Sequence, residues 1–129
     1  MNRGAVPDEV LRFIERRIDS VPHLEALLLL WESPSTTWTD AAIAARVYVS
    51  REQAQILLQD LTRHGLIAGD GSTPERYAYN SSWDEAQLMT RVAASYRRHL
   101  VDLARLIHMK AASQAVRDFA RAFQFKDEE

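Results

Sequence analysis

Apolar residues recur along this chain with the spacing of helix faces, interrupted in two places by clusters of turn formers. Val10, Phe13, Ile14 and Ile18 fall on one stripe behind Pro7, Asp8 and Glu9, a ring and two acids suited to a helix N-terminus. A first helix is predicted over residues 8–18. Ser20 and Pro22 open the next, in which Leu24, Leu27, Leu28 and Trp31 follow the i, i+3, i+4, i+7 rule. Leu29 and Leu30 widen that stripe almost all round, which predicts a helix at the centre of the core. The segment ESPSTTWT breaks the pattern and leaves room only for a very short strand at Thr36 to Trp38. Thr39 or Asp40 then caps a small alanine-rich helix with Ile43, Val47 and Val49 as core positions. Ser50 and Gln53 form an S-x-x-Q capping box, and Ala54, Leu57, Leu58 and Leu61 supply the buried face of the helix it starts. Gly65, after His64, stands where a left-handed stop is wanted.

Beyond Leu66 and Ile67 the period changes. GDGSTPE is dense in turn formers and leads into Arg76-Tyr77-Ala78-Tyr79, an alternating run that predicts a two-stranded hairpin. Ser82 and Glu85 read as a second capping box, after which neither Gly nor Pro appears. Met89, Val92, Tyr96, Leu103 and Leu106 trace a near-heptad seam on a helix running from Trp83 to Ile107, with His99 and Lys110 intruding at apolar positions. Ser113 offers a restart, and Val116, Phe119, Ala120 and Phe123 form a fresh stripe on a last short helix. A helix of such length spans ~40 Å, more than one small domain covers, and so implies a partner, most simply a second copy. The alternative is a hairpin at Ser113 that folds Phe119, Phe123 and Phe125 back on the first helix. The fold class expected is mainly α with a small β-hairpin. It forms one domain over residues 1–129: N-terminal helices at 8–35, a helix-turn-helix core with its hairpin at 36–80, and C-terminal helices at 82–125.

The order of elements, with Ile43-Ala44-Ala45, the turn at Tyr48-Val49, the Ser50 cap, Leu58, Leu61 and the HGLI ending, is that of a winged helix-turn-helix. In order and length the chain resembles the MarR group of small bacterial transcription regulators. The resemblance implies a homodimer joined by the terminal helices, through Met89, Val92, Tyr96, Leu103, Leu106, Phe119 and Phe123. It also implies double-stranded DNA as partner, with the second helix of the motif in the major groove, the hairpin wing beside the minor groove, and transcription regulation in the cytoplasm as the function. Carried over residue by residue, it assigns Arg51, Gln53, Gln55 and Gln59 to base edges, and Arg63 and Arg76 to phosphates. It would add a small-molecule effector between the dimer helices and the winged domain, although no residue names one. Two departures stand out. The family's wing usually carries Asp-x-Arg, whereas here Asp70 and Arg76 are six apart on a compact turn. From Thr36 to Asn80, four arginines (Arg46, Arg51, Arg63, Arg76) face five acids (Asp40, Glu52, Asp60, Asp70, Glu75). The rival reading is therefore a winged-helix module that holds a protein through its neutral helix face or Phe-rich tail.

Composition narrows the remaining classes. In 129 residues, 47% hydrophobic and 26% charged, sixteen Lys and Arg against eighteen Asp and Glu leave a charge of −2, so the molecule as a whole does not attract polyanions. The absence of cysteine removes disulfides, thiolate metal sites and thiol catalysis. LEALLLLW is far shorter than the ~20 residues of a membrane span, and MNRGAVPDEV lacks the apolar run of a signal peptide. No pair among His23, His64, His99 and His108 stands at i, i+4, so neither metal nor other cofactor is expected. Without a Gly-rich phosphate loop, a G-x-S-x-G elbow or paired catalytic carboxylates, no enzymatic activity is expected. Tyr77, Tyr79 and Trp83 read as packing between the hairpin and the helix that follows.

Overall fold

The computed structural model describes the backbone of residues 6–127 and the side chains of residues 6–121. Helix α1 (Asp8–Arg17) begins with its two acids and buries Val10, Phe13 and Ile14. Helix α2 (Val21–Glu32) is capped by Ser20 and buries residues on nearly every side, among them Leu24, Leu27, Leu28 and Leu30. It is the axis of the core, as its unbroken apolar run requires. Helix α3 (Asp40–Val47) and helix α4 (Arg51–Arg63) follow, and then the strands β1 (Ile67–Gly69) and β2 (Tyr77–Tyr79). The strands pair antiparallel with Ile67 opposite Tyr79, and the expected strand at Thr36 to Trp38 reduces to one bridge, Trp38 to Tyr77. This is a winged helix-turn-helix, with β1 and β2 as the wing.

Downstream, the structure corrects two expectations of helix boundary. Ser82 does not open a capping box with Glu85; it lies in a single 3-10 turn (Ser81–Trp83), where Asn80 Oδ1 accepts from its backbone and hydroxyl. Helix α5 (Leu88–Arg98) starts five residues beyond that turn, and the Asp84 carboxylate accepts from both Leu88 N and Met89 N. The two oxygens of one carboxylate thereby satisfy two orphan donors at the positive end of the helix. The second correction concerns the long helix. It breaks at His99 (φ −128°, ψ 41°), and α6 (Leu100–Asp127) then runs straight through Ser113. Ser113 Oγ accepts from Arg117 Nη1 at 3.1 Å instead of capping a new helix.

The break has a packing reason. It allows Met89 and Val92 on one side, and Leu103 and Ile107 on the other, to enter the same core. Met89, Val92 and Leu103 are accordingly buried within the protomer and are not surface that a partner could cover. Tyr96 and Leu106 are partly buried against that core, and Tyr96 Oη donates to Glu25 Oε2 at 2.9 Å. Phe119 is exposed, and the side chain of Phe123 lies outside the described residues. Lys110, which interrupts the apolar pattern, donates to the carbonyls of Ile14 (3.1 Å) and Ile18 (2.6 Å), satisfying acceptors at the end of α1. From Ala111 to Arg121, every α6 residue is exposed, so the helix does not fold back on α1.

Candidate nucleic-acid interface

Helix α3 is capped by Thr39, whose hydroxyl accepts from Ala42 N at 3.2 Å. Asp40 takes the first helical position, which frees its carboxylate to meet α4. The chain reverses at Tyr48, held in the left-handed region (φ 61°) with its side chain 91% exposed. Ser50 and Gln53 then close the reciprocal box: Gln53 N donates to Ser50 Oγ at 3.0 Å, and Ser50 N donates to Gln53 Oε1 at 3.2 Å. Ala54, Leu57, Leu58 and Leu61 fasten α4 to the core. At ~100° per residue this leaves Glu52, Ile56, Gln59 and Arg63 at the centre of the outward face, with Arg51 and Gln55 on the α3 side and Gln53 and Asp60 on the α2 side.

The six residues assigned to DNA are thus not equivalent. Asp40 Oδ2 accepts from Arg51 Nε at 3.3 Å and from Gln55 Nε2 at 2.8 Å. Gln55, with Arg51, holds the Asp40 carboxyl below the usual carboxylate range, against the opposing effect of burial. Gln53 is committed to its cap. Arg63 Nη2 donates to Asp60 Oδ1. Gln59 is exposed and makes no hydrogen bond among the described residues. On the wing, Asp70 Oδ1 organises the turn by accepting from Ser72 N (2.9 Å), Ser72 Oγ (2.6 Å) and Arg76 N (3.1 Å), which pulls its pKa down to about 2. Arg76 keeps its side chain in solvent.

The sequence analysis counts Asp40 and Asp60 among the acids of this region but does not find which side chains they hold. Asp40 lies eleven and fifteen positions before Arg51 and Gln55, and Asp60 is fixed by His23, thirty-seven positions upstream. His23 Nε2 and Asp60 Oδ2 are 2.9 Å apart, and His23 Nδ1 meets Ser20 Oγ at 2.6 Å. Burial raises the Asp60 carboxyl, but the contacts from His23 and Arg63 outweigh it and hold the group low. With Asp19, these two residues place three ligand atoms within 4.8 Å of one another, the one such group among the described residues. Arg63 on Asp60, and Lys110 at 3.7 Å from Asp19, already balance both carboxylates. The cluster is thereby accounted for as a tie between α2 and α4.

Two further features flank the head. Trp83 stacks on Phe13 at 5.4 Å and meets Tyr79 edge-on at 6.2 Å, so the aromatic group at the wing base does pack between hairpin and helices. Beside it, Arg12, Arg16 and Arg17 of α1 line a cavity of about 300 Å³ with Trp83. Farther along, Val101, Met109, Val116 and Phe119 lie within about 80° of one face of α6. Val116 is 66% and Phe119 71% exposed.

The head, wing and flanking helices define the class of fold, a winged helix-turn-helix embraced by terminal helices. No protein-family model matches the chain, and no curated protein matches it. Among solved structures it is similar to MepR, a transcription regulator of the Staphylococcus aureus multidrug efflux pump MepA. The TM-score is 0.51 at 15% identity, covering 93% of this chain and 87% of that one. A MepR mutant gives 0.51 at 14% identity, with the same coverage of 93% and 87%. The M. tuberculosis transcriptional regulator MosR gives 0.49 at 19% identity, covering 95% of this chain and 84% of that one. At such identities the likeness to MepR is one of fold.

Proposed function

We propose that this chain is a DNA-binding transcriptional regulator that acts as a homodimer in the cytoplasm, with α4 in the major groove and the wing beside the minor groove. The observation that carries the reading is the α3-turn-α4 unit. Its second helix is capped, fastened and outwardly exposed along Ile56, Gln59 and Arg63, within a fold shared with the transcription regulator MepR. Gln59 suits adenine, Ile56 suits a thymine methyl, and Arg63 and Arg76 suit phosphate. What supports the dimer is α6: this helix of 28 residues exposes Val101, Met109 and Val116 along one face, and a second copy would supply the same stripe. No helix among the described residues is long and apolar enough to cross a membrane.

Light scattering of the pure protein should give about twice the 14.7 kDa chain mass, and Val116→Glu should return it to the single-chain mass. Fluorescence anisotropy at low salt should show duplex binding that weakens as salt rises, best for two half-sites about one helical turn apart. A flat titration at low salt would end this reading.

One observation favours a second reading, a protein-holding module. Arg51 and Arg63 are both paired with acids of the head itself, and the neighbouring Tyr48 and Ile56 are exposed apolar side chains. A protein that co-purifies and survives nuclease treatment, together with no duplex binding, would select it.

A further inference from the structure

Two arginines of α4 are paired with acids, and the pairs differ in a way that bears on what each can read. Asp60 takes Arg63 through Nη2, at the end of the guanidinium, so one arm of its fork is occupied. Asp40 takes Arg51 through Nε, at the inner edge of the group. A guanidinium has five N–H donors in fixed geometry, and a contact at Nε leaves the four on the two terminal nitrogens unused. Those terminal nitrogens are the fork that meets a planar pair of acceptors such as guanine O6 and N7. The Arg51 side chain is 64% exposed, so the fork stands in solvent while its stem is held.

The same carboxylate oxygen also fixes Gln55, one turn along on the same side of α4, through Nε2. Asp40 is itself well held: it sits in the first turn of α3, where the helix dipole favours a negative charge, and its side chain is only 15% exposed. Exposed ion pairs add little to folding stability. What this one does is restrict two flexible side chains and cancel the charge of Arg51 toward a distant phosphate.

We propose that Asp40 is a positioning residue that orients Arg51 as a guanine reader and Gln55 as its neighbour, so that the head gains base discrimination at the expense of non-specific affinity. The proposal rests on the DNA-binding reading above. It also gives the near-neutral head a purpose: a head whose arginines are internally paired holds weakly to any duplex and tightly only where a base edge replaces solvent. In sequence this is invisible, because Asp40 reads as part of a helix cap.

The test is selection from a randomised duplex library with the full chain, followed by anisotropy titrations over a salt series. Wild type should select a site with a required G·C pair, and Arg51→Ala should lose that requirement. Asp40→Ala should reduce discrimination at the same pair by about tenfold or more, while it tightens binding to unrelated duplex. Its slope of log affinity against log salt should steepen by about 0.9, one further phosphate contact. Asp40→Asn, which keeps an acceptor without the charge, should retain part of the discrimination, and serves if the alanine variant fails to fold by circular dichroism. Unchanged discrimination and slope in the folded Asp40 variants would overturn the inference and leave the DNA-binding reading standing. No binding of any duplex by wild type would overturn both.

Discussion

Tyr48 is the one residue of the α3–α4 turn that sits in left-handed backbone, and its ring has almost no neighbours. An L-residue in that region costs about 1 kcal/mol or more, so here a large apolar side chain is kept in a strained position without packing in return. Tyr48→Gly should therefore raise stability by about 0.5–1 kcal/mol, seen as a higher urea midpoint with unchanged slope. If the ring contacts DNA or a protein, the same variant loses that contact, so stability and binding should move in opposite directions. Asp70 is the counterpart on the wing. Its carboxyl is held at about 2, below the ordinary 3.8, by Ser72 and the Arg76 amide. The sign follows from linkage: the depressed value means that the turn is favoured above about pH 4, and that this contribution disappears as the pH falls through 2. A carboxyl-detected NMR titration should find the Asp70 midpoint near 2, and Asp70→Asn should abolish the acid-dependent loosening of the wing amides. A midpoint at the ordinary value would mean that the three hydrogen bonds do not persist in solution.

At the scale of elements, α4 is held to α2 by one polar contact set in an otherwise apolar seam. His23 is buried, bonded to Ser20 on one nitrogen and to Asp60 on the other. His23→Ala leaves Asp60 partly buried with only Arg63 and should cost about 1–3 kcal/mol in chemical denaturation. A His23→Ala, Asp60→Ala double variant should lose less than the sum of the two singles, because the pair acts as a unit. Additive losses would show that the contact contributes nothing as a pair. The same seam marks the limit of what the sequence disclosed. The Ser50–Gln53 box, the left-handed Gly65 and the Leu58–Leu61 face were legible because each depends on residues within one or two helical turns. The α5 start was not, since a carboxylate at Asp84 replaced the nearer Ser82 cap. Nor was the break at His99, because no Gly or Pro marks it and only the need to fill one core from two directions causes it. The partner of Arg51 and Gln55 was hidden for the same reason: Asp40 reaches them through the tertiary fold, as His23 reaches Asp60, whereas Asp60 and Arg63 form a local pair three residues apart.

For the molecule as a whole, the division of α6 into two stretches matters most. Up to Lys110 the helix packs on the protomer's own core; beyond it, every described side chain faces solvent. The residues expected to join two protomers were partly taken by that core, since Met89, Val92 and Leu103 lie inside it. The exposed apolar residues that remain for the proposed dimer lie on the outer stretch of α6, at Met109, Val116 and Phe119. If the proposed function holds, a slightly acidic head on a molecule of net charge −2 must find a duplex through local contacts and not through long-range attraction.

Because α6 is continuous from its packed stretch to its exposed stretch, in the proposed dimer it would act as a drive shaft whose phase couples the two heads. One residue inserted after Ala112 turns Val116 and Phe119 by about 100° relative to the head and advances them by about 1.5 Å. Seven residues return them to within about 20° while moving them by about 10 Å. In the proposed dimer, light scattering should find the first insertion monomeric and the second dimeric, with the preferred separation between half-sites altered only in the second. A dimer indifferent to both would place the pairing surface elsewhere.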